Sequence, residues 1–261
     1  MILTIDIGNT TICIGGLEKA AGEYAVRFTA RMDTVPGRSG DAYLTEMREL
    51  LADAGVQAEN FKGAVLSSVV PVLEGPLLDC ARTLTGTEPV LVTSRSDTGM
   101  TVNLPEPEKV GRDRLVDAAW AAARFPLPVV TVDMGTATTF NVVDENRVFL
   151  GGVIAPGMAT GLNALTDRAA QLPTVELETP RHVIGRTTAE CMRSGAVAGA
   201  AALIDGITAR VEAELGKPVT LVITGGLARY VEPLCAHPHI YDPDLLLKGL
   251  ALLYERNGGC L

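Results

Sequence analysis

Two aspartates stand in matching company a half-chain apart, in Asp6-Ile7-Gly8-Asn9-Thr10 and in Asp133-Met134-Gly135-Thr136-Ala137-Thr138. Each motif joins a carboxylate, which can face a cation, to glycine and threonine. Glycine lets the backbone approach a ligand, and amides and hydroxyls donate hydrogen bonds to phosphate oxygens. A lone Asp-x-Gly is an ordinary turn. Its return after a second β-branched run favours two tips able to clamp a nucleotide triphosphate. A third carboxylate, Asp113, follows Gly111 and lies between Arg112 and Arg114. Phosphoryl transfer needs phosphate charge neutralised, a hydroxyl placed in line and a group to receive its proton. The two tips offer the neutralising parts, with Asp6 suited to a hydrated magnesium ion, and Asp113 is the candidate general base. Flanked by arginines at a helix start, it is expected to stay ionised. Arg114 suits a two-pronged contact with a substrate carboxylate, and Gly111 leaves room for a substrate chain to pass.

Sheets and helices must position these groups. Ile2-Leu3-Thr4-Ile5 and Val129-Val130-Thr131-Val132 lead into the tips, and Thr11-Ile12-Cys13-Ile14 and Thr139-Phe140-Asn141-Val142-Val143 leave them. Both read as hairpins with polar tips. A third strand is expected at residues 24–30, a helix at 39–54, a strand at 63–70, a helix at 71–85 and a strand at 89–93. A helix starting near Asp113 carries Leu115, Ala118, Ala119 and Trp120, with Asp117 read as a solvent-facing charge in preference to a carboxylate supporting Asp113. The second half repeats the order: strands at 128–136, 137–144 and 146–154, helices at 158–171 and 187–215, a strand at 219–224, a helix from 226, a strand at 239–241 and a helix at 244–257. The expectation is an α/β protein of two similar lobes, 1–117 and 118–261, each a mixed sheet flanked by helices and joined near residues 115–127.

Composition narrows the function. The chain has 261 residues, 47% hydrophobic and 20% charged, so two cores can be buried. A net charge of −9 and no basic runs argue against nucleic-acid or anionic-membrane partners. The cysteines (Cys13, Cys80, Cys191, Cys235 and Cys260) form no C-x-x-C pair, the histidines share no zinc spacing, and reduced structural thiols are expected. No apolar stretch long enough to span a bilayer lacks glycine, charge or turn residues, so cytoplasmic residence is expected. The alanine- and glycine-rich residues 194–202 suit close helix packing, internal or between copies.

The chain resembles the superfamily of acetate and sugar kinases, heat-shock chaperones and actin, and within it the type III pantothenate kinases. The resemblance rests on the two aspartate motifs, Gly111-Arg112-Asp113-Arg114, Gly151-Gly152-Val153-Ile154-Ala155-Pro156-Gly157, Thr188 with Met192-Arg193-Ser194-Gly195, and Thr224-Gly225-Gly226. It implies two ribonuclease H-like, actin-like ATPase lobes and ATP-dependent phosphorylation of pantothenate, the first step of coenzyme A synthesis. It further implies nucleotide contacts along Asp6, Ile7, Gly8, Asn9, Thr10, Thr11, Ile12 and Cys13 and at Thr136, Gly225 and Gly226. Asp133 would face a monovalent cation, potassium or ammonium. Gly111, Arg112, Asp113, Arg114 and Thr188 would meet pantothenate, with Thr188 reaching across a homodimer interface. Two departures stand out: Leu104 occupies a position where many members carry tyrosine, and Arg112 one where a small residue is usual. Another small-molecule kinase of the superfamily, or a nucleotide-binding accessory protein that has lost activity, remain alternatives.

Overall fold

The structure, a computed structural model, describes residues 1–169 and 172–259. Along the chain run β1 (Ile2–Ile7), β2 (Thr11–Ala20), β3 (Glu23–Asp33), α1 (Gly40–Asp53), β4 (Gly63–Ser68), α2 (Pro71–Thr85), β5 (Val90–Leu91), β6 (Thr101–Val102) and α3 (Arg112–Arg124). There follow β7 (Val129–Met134), β8 (Ala137–Val143), β9 (Val148–Pro156), α4 (Met158–Arg168), α5 (Thr188–Leu215), β10 (Thr220–Thr224), α6 (Ala228–Val231), β11 (His239–Tyr241) and α7 (Leu245–Arg256). Two expectations touch the undescribed residues: the end of the helix expected at 158–171, and Cys260.

The chain divides into two compact units, Met1–Ala123 with Asp244–Leu261, and Arg124–Pro243. In the first, the strand order is β3-β2-β1-β4-β5, with β1 antiparallel to β2 and parallel to β4. Every residue of β1 is buried, as a central strand covered on both faces requires. Leu3, Ile5 and Ile7 share a core with Tyr43, Met47 and Leu51 of α1 and Leu73 and Leu77 of α2. α7 packs against β1, β2 and β4. Trp120 of α3 meets Tyr24 of β3 at 5.7 Å between ring centres, and the Tyr24 hydroxyl donates to Ala251 O of α7 at 3.3 Å.

The second unit repeats this wiring: β9-β8-β7-β10-β11, with β7 antiparallel to β8 and parallel to β10. Its core gathers Val130, Val132, Phe140, Ile204 and Ile223. The repeat announced by the two motifs is therefore a repeat of topology.

The division between the units falls at Ala123/Arg124, within the 115–127 stretch expected to join them and six residues beyond the expected 117/118 boundary. Residues Leu115 to Ala122 of α3 are all buried and belong to the first unit. α7 returns to the same unit. Among smaller differences, β3 extends to Asp33, β5 has only two residues, β6 was not expected, and α6 stops after four residues, giving way to a 3₁₀ turn at Glu232-Pro233-Leu234. Cys13, Cys80, Cys191 and Cys235 are unbridged, and Cys191 is exposed. Among the described residues no helix is long and apolar enough to cross a membrane.

Gly249 brings the backbone of α7 against Val116 of α3. A Cβ there would lie 2.6 Å from Val116 O and 2.7 Å from its Cγ1. Gly249→Val is expected to lower stability by about 1–3 kcal/mol, the range for overpacking a core, and thermal unfolding checks it. An unchanged melting temperature would contradict the docking of α7 on α3.

Candidate active site

β1 ends on Asp6, whose neighbours in the sheet are Cys13 of β2 and Ser67 of β4. Ser67 Oγ donates to Asp6 Oδ1 at 2.7 Å, with Ser67 fully buried and Asp6 8% exposed. The tip beyond is tight. Gly8 N donates to Thr11 O at 3.1 Å, and a Cβ on Gly8 would lie 2.9 Å from that oxygen. Thr34 fastens the tip from the side, its N–H donating to Thr10 O at 3.0 Å and its Oγ1 to Gly8 O at 2.7 Å. Asn9 and Thr10 are exposed at the turn, while Thr11 and Cys13 are half-buried. Ile7 and Ile12 are fully buried, backbone as well as side chain.

Asp113 lies in the first turn of α3. Its Oδ1 accepts from Arg114 N at 2.8 Å, and a Cβ on Gly111 would lie 2.5 Å from that same oxygen. Gly111 thus makes room for the Asp113 carboxylate, a need distinct from the passage of substrate expected of it. Burial raises the Asp113 carboxyl above its ordinary value, opposed by the Arg114 N–H and charge. Of these influences desolvation is the largest. Burial likewise lowers Arg114, opposed by the charge of Asp113.

Arg112 has other partners. Its Nη1 donates to Ser68 O at 3.3 Å and to the Glu74 carboxylate in the first turn of α2. The two side chains are 28% and 20% exposed, and so exposed a pair contributes about 0.2–1 kcal/mol. Its effect is geometric more than stabilising. Asp117, expected at the surface, is 1% exposed, because α3 is enclosed on that face as on the others.

In the second unit, Asp133 of β7 pairs in register with Thr224 of β10. Gly225, at φ +100°, lays its backbone against the carboxylate: a Cβ there would be 2.4 Å from Asp133 Oδ1 and 2.4 Å from Met134 N. Gly157 does the same to the tip, where a Cβ would lie 2.3 Å from Thr136 O. That oxygen accepts from Gly157 N at 3.1 Å and from Thr160 Oγ1 at 2.8 Å, leaving the Thr136 side chain exposed. Asp133, Thr136, Gly225 and Gly226 therefore form one group within this unit. Thr188 opens α5 and is exposed. The cap is its neighbour: Thr187 Oγ1 accepts from Glu190 N at 3.2 Å, and Glu190 answers in a capping box. The hydroxyl of Thr188 is not the one that caps the helix.

Among the described residues no three His, Cys, Asp or Glu side chains gather as a metal cage. Single carboxylates at exposed tips suit an ion that shares its remaining ligands with water and phosphate, as magnesium does. Sequence reasoning missed Ser67 and Glu74. The signal for Ser67 was available, since two serines close an otherwise apolar strand beside Asp6, whereas nothing local to Glu74 points to Arg112.

Comparison with known proteins places this geometry. The type III pantothenate kinase family model matches residues 2–210. The type III pantothenate kinase of Thermomicrobium roseum is 39% identical over 256 residues, covering 98% of this chain and 97% of its own. That of Myxococcus xanthus is 39% identical over 257 residues, covering 98% and 99%. A Campylobacter jejuni protein described as a Baf family transcriptional activator superposes with a TM-score of 0.60 at 18% identity, covering 98% of both chains. The activator of 2-hydroxyisocaproyl-CoA dehydratase from Clostridium difficile, solved with bound ADPNP, gives 0.50 at 14% identity, covering 97% and 93%. These structural likenesses show the actin-like ATPase fold. Family match and near-full-length identity together go further: the chain belongs to the type III pantothenate kinases, which use ATP to phosphorylate pantothenate in the first step of coenzyme A biosynthesis.

Proposed function

We propose that Asp113 is the general base of this reaction, and the observation that carries the reading is its place in the first turn of α3, with Oδ1 held by Arg114 N and fitted against Gly111. A carboxyl raised above its ordinary value by desolvation accepts a proton more readily than a solvated one. In this reading Asp113 takes the proton of the pantothenate hydroxyl as that oxygen attacks the terminal phosphorus of ATP and the bond from that phosphorus to the bridging oxygen breaks, releasing ADP, while Arg114 holds the pantothenate carboxylate. Leu104 covers an apolar part of the substrate.

Asp6 holds a hydrated magnesium ion, and Gly8, Asn9 and Thr10 meet the phosphates, with Ile7, Thr11, Ile12 and Cys13 lining the same strip. When bound, magnesium offsets the charge of the phosphate oxygens. Asp133 faces a monovalent cation, potassium or ammonium, with Thr136 toward ATP. Gly225 and Gly226 let the backbone approach the adenosine portion. The enzyme acts in the cytoplasm as a homodimer in which Thr188 of each copy completes the other's pantothenate site. The exposure of Val183, Ile184 and Leu165 in the same unit as Thr188 supports an apolar contact there.

Three outcomes test this. Asp113→Asn is expected to lower turnover by about 10²–10⁴-fold, the usual contribution of a general base, with nucleotide binding retained in calorimetry. Retention of more than roughly a third of wild-type turnover, with chemistry limiting, would remove the base assignment. Asp133→Ala should abolish the response to potassium, and Asp6→Ala the turnover that depends on magnesium, in titrations of each ion; equal activity in sodium and potassium would count against Asp133. Mixed subunits of Asp113→Asn and Thr188→Arg should regain activity, because one site per heterodimer has both residues intact. No recovery, after mass spectrometry shows subunit exchange and Thr188→Arg is folded, would end the shared-site reading.

A further inference from the structure

We propose that Arg112 is a positioning residue that holds Asp113 in place through Ser68 and Glu74, and does not itself bind substrate. The inference rests on Asp113 being the base. The first turn of α3 is weakly held by packing: Gly111, Arg112, Asp113 and Arg114 are only half-buried, whereas Leu115 to Ala122 are in the core. The carboxylate rotamer is set locally, by Arg114 N at 2.8 Å and by the space above Gly111. What remains to be fixed is the turn itself, relative to the sheet.

Arg112 supplies that tie. One nitrogen, Nη1, donates both to Ser68 O at 3.3 Å and to Glu74, so the first residue of α3 is fastened to the end of β4 and to the first turn of α2. Ser68 follows Ser67, whose hydroxyl holds Asp6 at 2.7 Å. The end of one strand thus supports both carboxylates of this unit. The one nitrogen that donates to both a carbonyl and a carboxylate fixes where the Arg112 side chain lies, against the end of β4 and the first turn of α2. Its influence is therefore steric and geometric. A base displaced by about 1 Å can lose up to about 10²-fold in rate, so a slackened turn is felt in turnover.

The test places Arg112→Ala, Arg112→Lys and Glu74→Gln in the wild-type and Asp113→Asn backgrounds and measures kcat, both KM values and melting. With Asp113 present, Arg112→Ala should lower kcat by about 10-fold with KM for ATP unchanged. Glu74→Gln should lower it less, and Arg112→Lys should recover part of the loss. With Asp113→Asn, Arg112→Ala should cost nothing more, since the group it positions is gone. Unchanged kcat for both Arg112→Ala and Glu74→Gln overturns the proposal. An equal loss in the two backgrounds also overturns it, because Arg112 would then act on substrate or on the fold at large. Should Arg112→Ala fail to fold, Glu74→Gln and Arg112→Lys carry the same comparison. Full turnover in Asp113→Asn alone would remove the base assignment, a failure distinct from the others, and this inference with it.

Discussion

Parallel pairing of β1 with β4 sets Asp6 beside Ser67 and brings Ser68 one step further along the same edge. The register matters, because a shift of one residue would send every side chain of the shifted strand to the opposite face of the sheet and part Ser67 from Asp6. Ser67 then has its hydroxyl 2.7 Å from a nearly buried carboxylate. A hydrogen bond to a charged group contributes about 1.5–3 kcal/mol, and leaving such a group unsatisfied costs more. That bond orients Asp6, while the next carbonyl receives Arg112 and so reaches the helix that carries Asp113. The proposed general base and the proposed magnesium ligand depend on one strand pair.

The second unit uses the same wiring with different contacts around its aspartate. Asp133 has Thr224 in register where Asp6 has Ser67, but the backbone of Gly225 lies directly against its carboxylate and that of Gly157 against the tip. Side chains at either glycine would displace the turn. Equivalent positions in topology thus have unlike surroundings, which is the physical ground for proposing a hydrated divalent ion at one and a monovalent ion at the other.

Much of this was legible in the sequence because the informative residues are local. The hairpins follow from β-branched runs around Asp-x-Gly, and most helices from apolar spacing with glycine stops. The resemblance that named the family rests on motifs that the structure places at strand ends and helix starts. What was not legible is tertiary. Nothing in residues 112–124 says to which unit α3 belongs, since an alanine-rich face suits either, and Asp117 was accordingly misjudged. The return of α7 depends on Gly249 meeting Val116, more than a hundred residues away. The surroundings of Asp113 are tertiary in the same way: adjacent arginines are visible in sequence, whereas desolvation and the pairing of Arg112 with Glu74 are not.

The pH dependence of turnover tests the central claim most directly. A base must be deprotonated to act, so activity should rise with pH through the pKa of Asp113, and burial puts that value above the ordinary 3.8. Under conditions where chemistry limits the rate, kcat should show an acid limb with its midpoint above that value, and Asp113→Asn should lack the limb. A midpoint at the ordinary value, or the same limb in Asp113→Asn, would contradict a buried Asp113 acting as the base.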